Sequence, residues 1–142
     1  MAIFGIGADL VDSPRVERLI SRNEDIFRSR ILGASERSEI PSDSAKPSRV
    51  LAYARSIAAK EAFLKALGTG FTQGMRWPDI EIVEGRSHAP RIALSGVVAQ
   101  AFDDTQANRI HLSLSSVGAA SRSSQVLAIV TLSCTDAPET SL

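Results

Sequence analysis

Between Arg49 and Leu67 the chain carries an apolar residue at almost every angle of a helical wheel, and this restricts its fold more than anything else in the sequence. At 100° per residue Leu51, Ile57, Phe63, Leu64 and Leu67 spread round the cylinder, so the helix has to be covered on most sides. Only Arg55, Lys60, Glu61 and Lys65 are charged between residues 51 and 67. Glu61 and Lys65 lie one turn apart on one side, with Ala54 and Ala58 below them, which predicts a single narrow polar window floored by small residues. The same Glu-to-Lys spacing stabilises ordinary solvated helices, but those present a wide polar face, and this one does not. The helix is expected to stop at Gly68, where Gly68-Thr69-Gly70 can bring bare backbone amides to the window. A carboxylate, an ammonium and a glycine loop are the parts needed to hold a divalent metal together with a phosphate ester.

The amino terminus offers a second half for such a site. Ile3 to Val11 reads as a buried strand, and alternation puts Gly5, Gly7 and Asp9 on one face. Two missing side chains followed by a carboxylate make a bare track on which a helix or a ligand can lie close, with the acid at its end. The Gly-x-Gly here is not a dinucleotide fingerprint, because no third glycine follows and no helix opens directly after it.

Elsewhere the pattern is coarser. Ser13-Pro14 starts a short helix to about Arg22 that is expected to bury Val16, Leu19 and Ile20 while Arg15, Arg18 and Arg22 form a basic stripe on its other side. Phe27 to Glu39 reads as one helical segment, and Pro41 to Ser48 as a loop leading into the long helix at about Arg49. Trp77 to Val83 and Pro90 to Leu94 read as strands, and Gly96 to Phe102 as a helix. Ile110 to Val117 and Gln125 to Ser133 read as paired strands around a Gly118 to Ser124 turn. The fold class is α+β, a mostly antiparallel sheet packed against a long central helix. Residues 1–134 are read as a single domain and 135–142 as a flexible tail.

Composition sets limits on partners. The chain has 142 residues, is 44% hydrophobic and carries a formal net charge of zero, so there is material for a real core and no global field for nucleic acid. Its one cysteine, Cys134, excludes an internal disulfide, and no apolar run reaches membrane-spanning length, so a cytoplasmic setting without membrane contact is expected.

Taken in order, Gly5-Ile6-Gly7-Ala8-Asp9 with Arg15, Arg30-Ile31-Leu32 with Glu36, Lys60-Glu61-Ala62-Phe63-Leu64-Lys65-Ala66-Leu67-Gly68-Thr69-Gly70, Asp79-Ile80-Glu81-Ile82 and His111-Leu112-Ser113-Leu114-Ser115 resemble the holo-acyl-carrier-protein synthases, the small class of 4′-phosphopantetheinyl transferases. The resemblance runs from about residue 3 to residue 130. It implies transfer of the 4′-phosphopantetheine arm of coenzyme A to a serine of an acyl carrier protein, free or as a domain of a fatty acid synthase, with release of adenosine 3′,5′-bisphosphate. It implies Mg²⁺ held by Asp9 and Glu61, and Lys65 on phosphate, where it either stabilises the leaving group or, with its pKa lowered by burial, moves a proton. It further implies Gly68, Gly70 and His111 along the cofactor, the stripe Arg15, Arg18 and Arg22 facing an acidic carrier helix, and a homotrimer whose sites lie between neighbouring chains.

The chain departs from the family pattern in two places. Relatives commonly end the late strand motif in a second histidine where this chain has Ser116, and they precede Ala58-Ala59-Lys60 with Arg and an aromatic residue where this chain has Ser56-Ile57. Two other classes of function therefore stay open on sequence: a carrier- or coenzyme A-binding module weakened in catalysis, and a metal-dependent phosphoester hydrolase.

Overall fold

A computed structural model describes residues 1–43, 45–85, 89–118 and 123–135. The 22-residue helix α4 (Lys46–Leu67) is its axis. Strand β1 (Ala2–Asp12) leads into α1 (Ser13–Arg22), α2 (Glu24–Ile31) and α3 (Ala34–Glu39), which all precede α4. After it come β2 (Ile80–Glu84), β3 (Pro90–Leu94), α5 (Gly96–Asp103), β4 (Arg109–Val117) and β5 (Gln125–Cys134). All strand pairs are antiparallel, in a three-stranded sheet of order β1-β5-β4 and a separate β2-β3 hairpin.

The sheet lays one face on α4. Val126, Ala128, Val130 and Leu132 alternate inward from β5 and are buried, as are Ala54, Ala58, Ala62, Phe63 and Ala66 on the helix. The hairpin and α1 cover other sides of α4, which is why a helix apolar all round is stable here. Ala54 and Ala58 are wholly covered, so the polar window is shorter than the sequence indicates and opens only at the Glu61–Lys65 end.

Five local readings are corrected. Strand β1, read as buried, is covered on one face only, because Ile6 and Leu10 alternate away from α4 and are exposed. Phe27 to Glu39 is two helices, because Leu32 and Gly33 are extended and the Gly33 amide donates to Glu36 Oε2 at 2.8 Å, turning Glu36 inward. Helix α4 begins three residues early, with Pro47 in its first turn, where a missing N–H costs nothing. Trp77–Asp79 is a single 3₁₀ turn, and pairing starts only at Ile80, since Pro78 has no amide to give to a ladder. Leu19 is 49% exposed, because Val16 and Ile20 already fill the inner side of α1. Thr135, assigned to the tail, is tied to Asn108 through its amide and its carbonyl, and the rest of the tail lies outside the described residues.

One polar cluster joins the helices. Arg49 and the Tyr53 hydroxyl of α4 both donate to Glu24 Oε1, at 2.8 and 2.7 Å, while Arg28 donates to the Tyr53 hydroxyl and to the Ile40 carbonyl. The hydrogen bond from Arg49, with lesser help from Tyr53, holds the Glu24 carboxyl below its ordinary 4.5 against the effect of burial.

Candidate active site

The glycine track of β1 carries a helix. A Cβ on Gly5 would overlap the carbonyl oxygen of Ala66, and one on Gly7 would overlap that of Ala62 and stand 2.9 Å from Lys65 Cβ. Only glycine lets α4 lie this close. Two residues further along the same face, Asp9 meets the helix. Lys65 Nζ donates to Asp9 Oδ1 at 2.8 Å and to the Ala8 carbonyl at 3.1 Å.

That hydrogen bond to Asp9 raises the Lys65 pKa above its ordinary value, with the charges of Asp9 and Glu61 adding to it. The alternative of a lysine made basic-neutral by burial is overturned, because the side chain is 53% exposed and is held as an ammonium.

Glu61 sits one turn back, half-buried, and makes no ion pair or hydrogen bond among the described residues, Lys65 included. With Leu64, Lys65, Gly68, Gly70, Phe71 and Trp77 it lines an open concavity of about 340 Å³. Gly68 ends α4 at φ 81°, its amide donating to the Leu64 carbonyl at 3.1 Å, and Gly70 follows at φ 64°. Nothing lies within 4 Å of where a Cβ would stand on either, so this stretch of backbone is bare toward the concavity. Phe71 and Trp77 stack at 4.8 Å, 22° from parallel, as its far wall.

Asp9 and Glu61 are hard oxygen donors, and among the described residues no larger group of His, Cys, Asp and Glu side chains gathers. The Lys65 ammonium already rests between a carboxylate and a carbonyl oxygen, so the spot holds a cation on oxygen. The donor set fits Mg²⁺ in kind, and water and phosphate oxygens would fill the other positions.

His111 does not join this group within one chain. Across the sheet Asp9, Ala128 and Leu114 form one row on the face toward α4, while Ile6, Thr131 and His111 form a row on the opposite face. His111 Nε2 lies 2.9 Å from Ser133 Oγ there. Ser116 pairs with Val126 and points to the inner side, where its Oγ is buried without a hydrogen-bond partner. Arg15, Arg18 and Arg22 are exposed along α1. Between α1 and α2, Leu19 and Ile26 are the open apolar part of a groove of about 300 Å³ bordered by Arg22 and Arg30.

The residue whose place the sequence did not indicate is Lys60. Next to Glu61 on α4, it is wholly buried and donates to Glu36 Oε2 at 2.7 Å, to the Trp77 carbonyl at 3.1 Å and to the Ile31 carbonyl. Burial pushes its pKa below the ordinary lysine value, against the pull of Glu36 and, more weakly, of Glu81 and Asp79. Glu36 is buried too and accepts from Ser56 Oγ. The only signal in the sequence was Lys60 standing at an angle shared with Ile57, Phe63 and Leu64, with the small hydroxyl of Ser56 one turn back.

A long helix laid on a bare strand, with an acid and an ammonium beside an open glycine turn, defines a small α+β enzyme suited to a phosphate ester. The model of the 4′-phosphopantetheinyl transferase superfamily matches residues 5–130, and the chain belongs to that family. It is 40% identical over 113 residues to the holo-[acyl-carrier-protein] synthase of Alkalilimnicola ehrlichii, covering 80% of this chain and 87% of that one. The crystal structure of the holo-[acyl-carrier-protein] synthase of Neisseria meningitidis superposes with a TM-score of 0.80 at 30% identity, over 93% of this chain and 99% of that one. The Helicobacter pylori synthase, solved in complex with coenzyme A, superposes with a TM-score of 0.72 at 27% identity, over 90% and 99%.

Proposed function

We propose that this chain moves the 4′-phosphopantetheine arm of coenzyme A onto a serine hydroxyl of an acyl carrier protein. The observation that carries the reading is the meeting of Glu61, Lys65 and the Gly68–Gly70 backbone on one concavity, with Asp9 bonded to Lys65 beside it, in a chain of this family. The serine oxygen forms a bond to the phosphorus next to pantetheine, the bond from that phosphorus to the bridging oxygen breaks, and adenosine 3′,5′-bisphosphate leaves. Glu61, whose carboxylate has no partner among the described residues, accepts the serine proton at a carboxylate oxygen in this reading. Lys65 holds positive charge where the leaving phosphate gathers negative charge. Asp9 and Glu61 would hold Mg²⁺, which when bound neutralises charge on the pyrophosphate oxygens.

The carrier is read as an acidic, amphipathic helix. Arg15, Arg18, Arg22 and Arg30 supply the complementary charge, and Leu19 and Ile26 the apolar contact between them. The protein is read as a homotrimer that works in the cytoplasm. Ile6, Leu10, Leu127 and Ile129 make an exposed apolar strip on the outer sheet face, of the kind that marks an interface. His111 shares that face, so a neighbouring chain seated there would bring its own polar window to His111.

The test is mass spectrometry of an apo-carrier protein incubated with the chain, coenzyme A and Mg²⁺. Gain of the arm supports the reading. An unchanged carrier with intact coenzyme A would leave a binding module, and cleaved coenzyme A with an unchanged carrier would leave a hydrolase.

A further inference from the structure

The neighbour of Glu61 on α4 ties together three segments that are far apart in sequence. Lys60 Nζ has three protons, and each has an acceptor: the Ile31 carbonyl at the end of α2, Glu36 Oε2 on α3, and the Trp77 carbonyl before β2. Trp77 is the wall that the concavity of Glu61 and Lys65 shares, through its stack on Phe71, with a second groove bordered by Arg30, Arg76, Ser29 and Pro78. Apart from Lys60, the Trp77 carbonyl accepts from the Ile80 amide within its own turn, so among the described residues Lys60 is its hydrogen-bond tie to α4, added to the packing of the Trp77 ring on the core.

We infer that Lys60 is a positioning residue, which by holding the Trp77 carbonyl together with the end of α2 and Glu36 sets the aromatic wall, and the carrier-facing helix α2, at their working distance from Glu61 and Lys65. This rests on the transferase reading above. Its rival is a buried ion pair that merely stabilises the core. Buried pairs of that sort are often replaced by uncharged residues of similar volume without loss of stability, so the two roles come apart when both charges are removed. Glu36→Gln with Lys60→Met leaves no buried charge, and the side-chain amide introduced on α3 can still accept from the Gly33 amide and meet Ser56. What it cannot restore is the donor to Trp77.

The experiment uses the full chain and its single tryptophan, which stands at the wall itself. In the double variant the Trp77 emission maximum shifts, and the KM for coenzyme A rises, or kcat falls, by about tenfold or more, with the circular dichroism spectrum unchanged. A folded double variant with the emission, KM and kcat of the parent overturns the inference. Lys60→Arg keeps the charge and serves where the double variant does not fold: its larger head cannot leave all three acceptors in a closed site where they are, so parental emission together with parental KM for coenzyme A and for the carrier in that variant overturns the inference as well. Emission is read without any transfer, so a parent protein that fails to modify a carrier sinks the transferase reading alone and leaves the wall to be decided by fluorescence.

Discussion

Gly7 and Ala62 touch main chain to main chain: the Gly7 Cα faces the Ala62 carbonyl so closely that a Cβ would overlap it, and would lie 2.5 Å from the Ala66 amide nitrogen as well. Relief would require β1 to lift off α4. Gly7→Ala is expected to destabilise the protein by about 3 kcal/mol or more, at the upper end of overpacking costs because the clashing atoms are backbone. Urea melts of the two proteins check this, and a change under about 1 kcal/mol would mean that the helix and strand are further apart than described.

Asp9→Ala and Glu61→Gln should each lower transfer by about 100-fold or more while leaving the melting temperature within a few degrees, because Glu61 lines the concavity, Asp9 is bonded to Lys65 beside it, and neither belongs to the apolar core. Isothermal titration should show coenzyme A and Mg²⁺ binding each more tightly in the presence of the other, and that coupling should vanish in Asp9→Ala. Parental activity of either variant at low Mg²⁺ removes these residues from the metal site.

His111→Ala is expected to lower single-turnover transfer by less than about 100-fold, since the serine proton is assigned to Glu61 and the His111 ring is engaged with Ser133. A larger loss, accompanied by disappearance of an inflection near the ordinary histidine pKa of about 6.5, would make His111 the base in place of Glu61.

Arg15→Glu and Leu19→Glu should raise the KM for the carrier while leaving coenzyme A affinity unchanged, and the effect of the arginine change should shrink as salt rises. Both side chains are exposed on α1, so neither substitution disturbs the core. Equal losses in both affinities would instead make α1 part of the cofactor site.

The Glu24 carboxyl is held low in the folded protein, so its contribution is present above its ordinary 4.5 and is lost as pH falls through the lowered folded value. Thermal melts from pH 7 downward should therefore show a shallower acid limb in Glu24→Gln than in the parent. Parallel curves would mean that the Arg49–Glu24–Tyr53 cluster is not formed in solution.

How far the chain can be read without its structure depends on how local each cause is. Gly5, Gly7 and Asp9 were legible because strand alternation is a two-residue rule, and the stop at Gly68 because a left-handed cap needs glycine. The covered helix was legible from its own periodicity. Lys60 was not, because its three acceptors come from Ile31, Glu36 and Trp77, none of them within reach of any local pattern. Leu19 was misplaced for a similar reason: apolar spacing says which side chains can face inward, and only the packing of α1 decides that Val16 and Ile20 suffice. The position of His111 followed from register, which places it on the face opposite Asp9 through two strand pairings that no single strand announces.

Because β1 meets α4 through bare backbone, the separation of Asp9 from the turn that carries Glu61 and Lys65 is set by the main chain, with few side-chain rotamers in between. A phosphate ester arriving there has little of the protein left to order. The entropic cost of assembling these groups is met during folding, so binding should draw on a site that is already organised, and the glycines that leave β1 without side chains are what organise it.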